Sequence, residues 1–503
     1  MAKYRSTEAT YGQGLYLEVN LKEQLLSGTF EHMLNELIGN KIDISLFDQN
    51  YNNDKTGASA VPPAVLLKLI IYGYSKGCFS SRKLSELNEN NIVAKALTCD
   101  MKIHWTTIAD FISSNSEEFS AVFVKVLIYC NELGLIGGDT YAVDGLRLPS
   151  NASIEMSGTE EQLKERLLLF KKMAEKHLAR HRKKDSTGDA DDIERKHFEE
   201  RQKYLDRQME RLSGFLEGME KKIGQNGSEI KSNVTDNESA MIHSSKGYFQ
   251  GYIGIAVTDQ KNQIITSART VGTAYEGEHL PEMLDKNAQN INEAGVKTEE
   301  GKKISILGDS NYFSEDNLKA CEERGLEAVI PDGQEKKRLG SDGLQRYEVS
   351  DFKYHKENNC YECPQGKMLG YKGKAELQRG ENEIYRANLN DCRVCPVFSR
   401  CSKSKKPQNE IDQGRKILIK KERLKESRAQ DMRKKQATEA FQALYAKRIQ
   451  IVEPVFANIR YCKGLNRFTL RGKEKVNGQW LLYCMVHNLG KCLNELNLRR
   501  NAP

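Results

Sequence analysis

The sequence contains no long apolar run. No stretch of about 18 consecutive apolar residues, the length that crosses a membrane, occurs among the 503 residues. The opening stretch, MAKYRSTEATYGQG, also lacks the apolar segment of a secretory signal peptide. We therefore expect a protein without a membrane span that works in the cytoplasm.

A strong excess of either charge is also missing. The chain has 77 Lys and Arg against 70 Asp and Glu, so its formal net charge is only +7. The clustering of the charges therefore carries more information than their sum. The length favours roughly two to four domains.

Disulfide bonds are not expected, because a cytoplasmic chain keeps its thiols reduced. Seven of the twelve cysteines are scattered and are predicted to be core thiols, namely Cys78, Cys99, Cys130, Cys321, Cys462, Cys484 and Cys492. The other five form Cys360-x2-Cys363 and Cys392-x2-Cys395, followed by Cys401. This spacing is typical of a structural zinc site with four thiolate ligands. The alternative is a set of unpaired thiols.

Residues 1 to about 130 have helical patterns. Residues 61–74 form an apolar helix that opens on prolines, and Ser80 or Ser81 can cap the next helix. Further helices are predicted at 106–111 and 118–130. This basic helical unit could place a helix on DNA, or it could be a plain helical domain, because helix-turn-helix patterns are common by chance.

A strand and a long charged segment follow. Residues 139–143, DTYAV, predict a buried strand with Asp144 at its C-terminal end. The alternative for Asp144 is an ordinary strand-ending turn, because Asp-Gly is common there. Residues 158–227 are highly charged with leucines at helical spacing, which predicts a solvated helical arm with its turn at 186–191.

After the arm, predicted strands and helices alternate. The predicted strands are 247–258, 263–270, 303–307 and 326–330, and the predicted helices are 280–291 and 315–324. This order indicates an α/β domain with a long insertion. Asp309 follows the strand at 303–307 as Asp144 follows its own strand. We therefore expect both aspartates at the edge of the sheet where ligands gather.

A third carboxylate comes from a helix predicted around residues 445–460. The apolar residues at three- and four-residue steps are Ile449, Val452 and Phe456. Glu453 lies within or beside that stripe, so it is either paired or directed into a polar site, since burying it alone is costly. Pro454 either kinks this helix or restarts it with Glu453 near the N-cap. The plain alternative is a surface helix with ion pairs.

Asp144, Asp309 and Glu453 together would form an oxygen-rich site for hard divalent cations. Two Mg²⁺ ions in such a site stabilise the attacking and leaving oxygens of a displacement at phosphorus. Arg448 and Arg460 are expected beside it, because guanidinium groups match phosphate oxygens.

Several blocks of the sequence resemble bacterial insertion-sequence transposases of the DDE type. The stretch VEPVFANIRYCKGLNRFTLRGKEKVNGQWLLYCMVHNL is similar to their C-terminal catalytic block, and YAVDGLRLPSNAS and ILGDSNYFSEDN resemble their two aspartate blocks. GASAVPPAVLLKLIIYGY is similar to the helical domain that precedes the core in this group. Each aspartate block is weak alone, and the correct order of all the blocks makes the resemblance specific.

The resemblance implies roles for individual residues. Those enzymes have a Tyr-Arg-Glu-Lys signature around the last carboxylate, and it falls here on Tyr445, Arg448 and Glu453, with Arg460 at the usual lysine. The spacing from Arg448 to Glu453 is one residue longer than in that signature. Tyr445 is expected to stack on a base or bond to a phosphate.

The resemblance also implies the metals. The two Mg²⁺ ions, for which Mn²⁺ can substitute, would be held by Asp144, Asp309 and Glu453. The implied structural zinc ligands are Cys363, Cys392, Cys395 and Cys401, which leaves Cys360 spare.

The implied fold class is α/β. It consists of an RNase H-like core with an N-terminal all-α domain, a helical arm and a small Cys-rich zinc-binding insertion. The predicted division is 1–130 for the helical, DNA-end-binding domain, 131–157 and 231–350 for the core, 158–230 for the arm, 351–404 for the zinc insertion, and 405–503 for the basic, catalytic and C-terminal helices.

The implied function is that of a DNA transposase in the bacterial cytoplasm, associated with the nucleoid. It would bind the terminal inverted repeats of its element as a homodimer, cleave phosphodiester bonds and transfer the 3′-hydroxyl ends to target DNA. One alternative is a related nuclease without strand transfer. Another is a domesticated transposase that only binds DNA, although the intact Asp144, Asp309 and Glu453 argue against it.

Residues 403–447 are rich in Lys and Arg. Such a run is usually a solvated helix, but one that leads into an active site on DNA is a candidate for phosphate contacts. Asp412, Glu422 and Glu426 dilute it, so we expect a striped face. Trp105 and Trp480 are the only tryptophans, and the sequence leaves open whether either contacts a base or both are core.

Overall fold

The computed structural model describes residues 18–51, 59–187, 192–224, 227–244, 247–297, 301–333, 346–347, 349–377, 380–401, 407–420 and 428–501. Its helices are α1 Phe30–Glu36, α2 Pro63–Ser75, α3 Ser81–Asn90, α4 Ile92–Thr98, α5 Trp105–Ser114, α6 Ser116–Glu132, α7 Glu160–Thr187, α8 Asp192–Glu217, α9 Leu280–Glu293, α10 Glu315–Glu323, α11 Leu389–Arg393, α12 Phe398–Cys401, α13 Arg428–Gln436, α14 Glu439–Ala457 and α15 Lys473–Asn501. Its strands are β1 Thr140–Pro149, β2 Ser157–Gly158, β3 Ser232–Asn233, β4 Ala240–Ser244, β5 Gly247–Asp259, β6 Ile265–Val271, β7 Ser305–Leu307, β8 Glu327–Val329, β9 Lys353–His355, β10 Cys360–Glu362, β11 Met368–Leu377, β12 Gly380–Ala387 and β13 Lys416–Lys420. Within these ranges, no helix has the length and hydropathy that a membrane span requires.

A six-stranded mixed sheet forms the centre of the molecule. Its order is β4-β5-β1-β7-β8, with β6 also paired to β5. β5 runs antiparallel to β1 and β6, whereas β7 and β8 run parallel to β1. The strands predicted after the arm are therefore present as β5, β6, β7 and β8, and the predicted helices as α9 and α10. The mixed α/β class is confirmed.

β1 is longer than predicted. The sequence suggested an end at Asp144, but the strand continues to Pro149. The reason is β5, which pairs with β1 from Tyr141 to Pro149 and so satisfies the backbone beyond Asp144. Asp144 therefore lies inside a strand and not in a strand-ending turn.

The N-terminal helices share one hydrophobic core with this sheet. The C-terminal helix α15 packs against α2, α6 and β6 and joins the two parts. Trp480 of α15 is fully buried, and its Nε1 donates to the carbonyl of Ile255 in β5 at 3.1 Å. Trp480 is therefore a core residue. Trp105 is 37% exposed, and the guanidinium of Arg82 lies 4.9 Å from its ring centre.

The arm is a pair of long helices, α7 and α8, that pack against each other. Met156, Leu163 and Leu212 form a small core of their own. Most of the predicted turn at 186–191 lies outside the described residues.

The Cys-rich segment folds as a second sheet, which the sequence did not suggest. Its five antiparallel strands have the order β13-β12-β11-β10-β9 and enclose a separate core. Residues 416–420, expected to be part of a basic helix, form the edge strand β13. Ile417 and Ile419 are buried while Lys416 is exposed, because alternate side chains of a strand face opposite sides.

Candidate active site

The two predicted aspartates lie at the same place on the central sheet. β1 and β7 are parallel with Ala142 opposite Leu307, so two residues further along Asp144 and Asp309 are level. Asp309 keeps an extended backbone, with φ −79° and ψ 177°. Adjacent strands are about 4.8 Å apart, which brings the two carboxylates into one another's field. The structure thus brings Asp144 and Asp309 together.

Arg448 of α14 forms an ion pair with Asp144. Its Nη2 donates to Oδ2 of Asp144 at 2.7 Å, and the side chains of Arg448 and Asp144 are only 11% and 19% exposed. Nε of Arg448 is buried without a hydrogen-bond partner. A buried donor of this kind is costly unless an acceptor reaches it. Arg448 therefore retains an unused donor that a phosphate oxygen could satisfy.

Burial dominates the electrostatics of Asp144. It raises the pKa of this carboxyl to about 6, against the opposing effects of Arg448 and of the backbone N–H of Gly145, with further increases from Asp309 and Glu276. A carboxyl with so high a pKa is easily protonated when no cation neutralises the site. Strong perturbation of this kind is typical of functional sites.

Tyr445 lies one helical turn before Arg448 and faces the same aspartates. It is half-buried, and burial raises the pKa of its hydroxyl, to which Asp309 and Asp144 also contribute. Its ring stacks on Phe441 with 6.0 Å between centres. Asp144, Asp309, Tyr445 and Arg448 are therefore gathered at one site.

Glu453 and Arg460 are not gathered there. Glu453 is exposed, and it lies five residues after Arg448, or about 140° around the helix. Ile449, expected on the buried face, is 53% exposed, whereas Val452 and Phe456 are buried. Arg460 lies in the turn after α14, with its guanidinium over the ring of Tyr461 and its Nε buried without a partner.

Pro454 neither stops α14 nor restarts it. The helix continues from Glu439 to Ala457. Pro454 has no N–H, so the carbonyl of Gln450 loses its helical donor. The side chain of Gln263, in the turn between β5 and β6, donates to that carbonyl at 2.7 Å. Gln263 is held in turn by α15, since Lys491 donates to its Oε1 and a ring nitrogen of His487 lies 2.9 Å from its carbonyl oxygen.

A further acidic residue lies at the site, and sequence analysis missed it. Glu276 follows β6, is only 2% exposed and pairs with Arg147. Its charge contributes to the raised pKa of Asp144. We refer to Asp144, Glu276 and Asp309 as the carboxylate cluster. No local spacing marks Glu276 in the sequence, because only the pairing of β1, β5 and β6 brings it beside Asp144.

The donor chemistry of the cluster fits a hard cation. Carboxylate oxygens are what Mg²⁺ prefers, and it commonly takes only one or two carboxylates and keeps its waters. Among the described residues, however, no group of three His, Cys, Asp or Glu side chains is close enough to enclose a metal ion. Oδ2 of Asp144 is engaged by Arg448, so a cation would have to compete with that contact.

The cysteines only partly follow the prediction, and a zinc site is not supported. Of the seven scattered thiols expected in the core, Cys99 and Cys462 are exposed and Cys78 is half-buried. The sulfur of Cys360 lies 3.9 Å from that of Met368, apart from the others. We call Cys363, Cys392, Cys395 and Cys401 the thiol cluster. Burial raises the pKa of Cys401 to about 11, and the three other thiols add to the increase. In the part of the chain that the structure describes, these thiols do not form a metal-binding group.

Two family models match the chain. Residues 362–493 match a model described as Transposase DDE domain, and residues 19–114 match one described as Transposase domain (DUF772). A search of curated proteins found no match. The two matches support the assignment of this chain to the insertion-sequence transposases of the DDE type. Glu453 and the thiol cluster lie within the first match, and Asp144 and Asp309 lie outside both.

Proposed function

We propose that this protein is a DNA transposase that binds the terminal inverted repeats of its element, cleaves phosphodiester bonds at its ends and transfers the 3′-hydroxyls to target DNA. A transposase DDE domain implies nuclease and transposition chemistry and a divalent cation such as Mg²⁺ in general terms. The observation that carries the proposal is the level placement of Asp144 on β1 and Asp309 just after β7, with Arg448 paired to Asp144.

The proposed fold of the catalytic core is RNase H-like. Three antiparallel strands in the order β6-β5-β1 are followed by two strands, β7 and β8, parallel to β1. The long arm is inserted after β1, between the strand that carries Asp144 and the rest of the sheet. This topology supports the proposal, because Asp144 lies on β1 and Asp309 follows the adjacent parallel strand β7.

The proposed catalytic residues are Asp144, Asp309 and Glu453. When bound there, Mg²⁺ or Mn²⁺ ions would supply charge stabilisation for the attacking and leaving oxygens. Asp144 and Asp309 would hold the cations by their oxygens. Glu453 lies on α14, the helix that carries Arg448, and is exposed. It is retained as the third ligand because the sequence around it resembles the C-terminal catalytic block of the DDE transposases. Its recruitment requires a rearrangement of α14 relative to the sheet.

The proposed roles of the neighbouring side chains follow from their placement. Arg448 would exchange its contact with Asp144 for a phosphate oxygen, and its unpartnered Nε supplies a second donor for a forked contact. Tyr445 would bond to a phosphate or stack on a base next to the reacting group. Arg460, whose Nε is also unpartnered, would contact DNA further along.

DNA contacts elsewhere are proposed with one revision. In α13, Arg433 pairs with Asp332 at 2.6 Å and Lys435 with Glu327 at 2.6 Å. These two cations fasten α13 to the core and are therefore poor candidates for phosphate contacts. Lys416 on β13 is exposed and remains a candidate. The lysines within residues 421–427 lie outside the described residues.

We also propose a structural zinc ion in the thiol cluster. The backbone N–H groups of Lys367 and Arg415 donate to the sulfurs of Cys363 and Cys392, each at 3.3 Å. Burial raises the pKa of Cys392, and the bond from Arg415 opposes that increase and so favours the thiolate form that zinc requires. The turn after Cys363 closes with the N–H of Gly366 on its carbonyl and a positive φ of 74° at Gly366.

The decisive experiment is a cleavage assay with purified protein, Mg²⁺ and a duplex that carries the element's terminal inverted repeat joined to flanking DNA. The proposal expects nicks at the element end and covalent joining of that end to a target plasmid. Cleavage without joined product would favour a nuclease without strand transfer. Specific binding without cleavage would favour a protein that only binds DNA. A mobility assay under the same conditions would also show whether two copies assemble on the DNA.

A further inference from the structure

Glu276 is a buried carboxylate that the proposed catalytic set does not use. It lies in the segment between β6 and α9, and its side chain is 2% exposed. Arg147 on β1, three residues after Asp144, donates through Nη2 to Oε1 at 3.0 Å and Oε2 at 3.1 Å. A carboxylate with so little access to water needs such a partner.

The same carboxylate is linked to Asp309 through one amide. Nδ2 of Asn311 donates to Oε1 of Glu276 at 3.1 Å and to Oδ2 of Asp309 at 2.9 Å. The backbone N–H of Asn311 donates to the other oxygen of Asp309 at 2.9 Å. Both oxygens of Asp309 are therefore oriented by Asn311, and the side chain of Asn311 is itself oriented by Glu276.

The segment that carries Glu276 is fixed against this assembly. The hydroxyl of Tyr275 donates to the carbonyl of Asn311. A Cβ at Gly277 would lie 2.3 Å from that same carbonyl oxygen, so glycine is required for the close approach. Asn317 donates to the carbonyl of Gly277 at 2.8 Å. Three contacts thus hold Glu276 at a defined distance from Asp309.

Glu276 also lies beside Asp144 of β1. A Cβ at Gly145 would lie 3.5 Å from the Cδ of Glu276, so this carboxyl packs directly on the residue that follows Asp144. The hydroxyl of Tyr312 is fully buried and has no hydrogen-bond partner. Burial first, and then the charges of Asp144, Glu276 and Asp309, raise the pKa of that hydroxyl. The unpartnered hydroxyl of Tyr312 therefore lies within the electrostatic reach of all three carboxylates.

We propose that Glu276 is a positioning residue of the active site, which acts through Asn311 to fix the carboxylate of Asp309 for cation binding, while Arg147 balances its charge. The inference rests on the proposed function of Asp309. Mg²⁺ demands nearly ideal octahedral geometry, so a ligand that rotates freely binds it poorly. Partners that orient a metal ligand typically change affinity by about 10–100-fold when removed.

Four variants test the inference on protein without DNA, with Mn²⁺ binding measured by electron paramagnetic resonance. Glu276→Ala and Asn311→Ala should each weaken Mn²⁺ binding by about 10–100-fold. Because Glu276 acts on Asp309 through Asn311, the double variant should bind Mn²⁺ no more weakly than the single variant with the lower affinity. Glu276→Gln keeps an acceptor for Asn311 and should restore most of the affinity that Glu276→Ala loses.

The controls separate positioning from stability. Glu278→Ala removes a neighbouring carboxylate that is 44% exposed and should leave Mn²⁺ affinity unchanged. Thermal unfolding of each variant is recorded alongside. If Glu276→Ala lowers the unfolding temperature but binds Mn²⁺ as the wild type does, the residue is merely structural and the inference is wrong.

The remaining outcomes are equally decisive. If Glu276→Gln binds Mn²⁺ as weakly as Glu276→Ala, Glu276 is a direct ligand and the positioning role is overturned. In both failures the wild type still binds Mn²⁺ in a manner that Asp144→Asn abolishes, so the proposed function stands. A wild type that neither binds Mn²⁺ nor cleaves DNA would overturn the proposed function and this inference with it.

Discussion

The carboxylate cluster and the thiol cluster assemble ligand-type side chains in opposite ways. The carboxylates come from β1, from the segment after β6 and from the end of β7, and they meet only because the central sheet pairs these elements. The thiols come from short turns, one after β10 and the others in and around α11 and α12, and two sulfurs accept backbone N–H groups. Buried polar atoms without partners lie at both clusters, the Tyr312 hydroxyl and Arg448 Nε at the first and Arg415 Nε at the second. The pKa of Asp144 is raised by burial and by neighbouring carboxylates, whereas the thiols lie in a separate small core. We infer that the first cluster is built for chemistry and the second for stability.

The largest expected effect is on cleavage. Asp144→Asn should reduce cleavage to the uncatalysed background, because it removes a cation ligand, while DNA affinity stays unchanged, because it removes no phosphate-binding cation. Cleavage of an end-bearing duplex and a mobility assay measure the two quantities.

The matched control for Asp144→Asn is Asp259→Asn. Asp259 is also buried, but backbone N–H groups of Gly137, Gly138 and Lys261 satisfy its carboxylate. This variant should lose stability and keep its cleavage rate per folded molecule. If Asp144→Asn cleaved DNA at the normal rate, the carboxylate cluster would not be catalytic, and the inferred difference between it and the thiol cluster would be lost.

The second effect is on folding. Cys392→Ser should destabilise the five-stranded sheet by more than about 4 kcal/mol, in the range that loss of a metal site produces, and should remove zinc detected by elemental analysis. Denaturant unfolding of wild type and variant measures the change.

Cys360→Ser is the matched control, because Cys360 contacts Met368 and not the thiol cluster. It should change the free energy of unfolding by much less. Equal stability of both variants, or a wild type without zinc, would mean that the thiols are ordinary core residues.

The third effect concerns Arg448. Arg448→Ala should lower the cleavage rate by about 10²–10³-fold, as removal of a preorganised donor to a reacting oxygen does, and should change DNA affinity much less. Single-turnover cleavage and equilibrium binding are compared. Lys447→Ala removes the adjacent exposed cation and serves as control. A variant that cleaves normally but binds DNA poorly would make Arg448 an ordinary backbone contact.

The smallest effect is a pH dependence of stability in metal-free protein. Burial raises the pKa of Asp144 to about 6 from its ordinary value of 3.8, so between these values the folded state binds more protons than the unfolded state. The free energy of unfolding should therefore fall as pH rises through this window, by at most about 1.4 kcal/mol per pH unit.

The check is the difference in unfolding free energy between wild type and Asp144→Asn across pH 4 to about 7. This difference should change between pH about 4 and 6 and become constant above. A constant difference over the whole range would show that Asp144 keeps its ordinary pKa in the fold.

The same contrast explains what could be predicted from the sequence. The cysteine spacing is local, so the two C-x2-C pairs and Cys401 were visible as a group, although the sheet around them was not. The choice of Cys363 over Cys360 came from the resemblance to the transposases. Asp144 and Asp309 were found because each follows an apolar run. Glu276 and Asn311 have no such marker, since their meaning depends on which strands pair.

Helix periodicity predicted α14 but not which of its faces is buried. Ile449 and Val452 lie within the same apolar pattern, yet only Val452 is buried. The direction in which a helix faces depends on the sheet beneath it, and Arg448 takes the inward position because Asp144 offers it a charged partner. Because Arg448 faces inward, Glu453, about 140° further around the helix, is exposed.

Gln263 connects α14 to the C-terminal helix α15. Its side chain donates to the carbonyl of Gln450 and accepts from Lys491 of α15. A gene copy shortened before the codon for Lys473 would therefore encode a protein that lacks more than its last helix. The turn at Gln263 would lose its support, and α14 would lose the anchor next to Pro454. Truncated descendants of such an element are expected to fail at the active site although every proposed catalytic residue is still encoded.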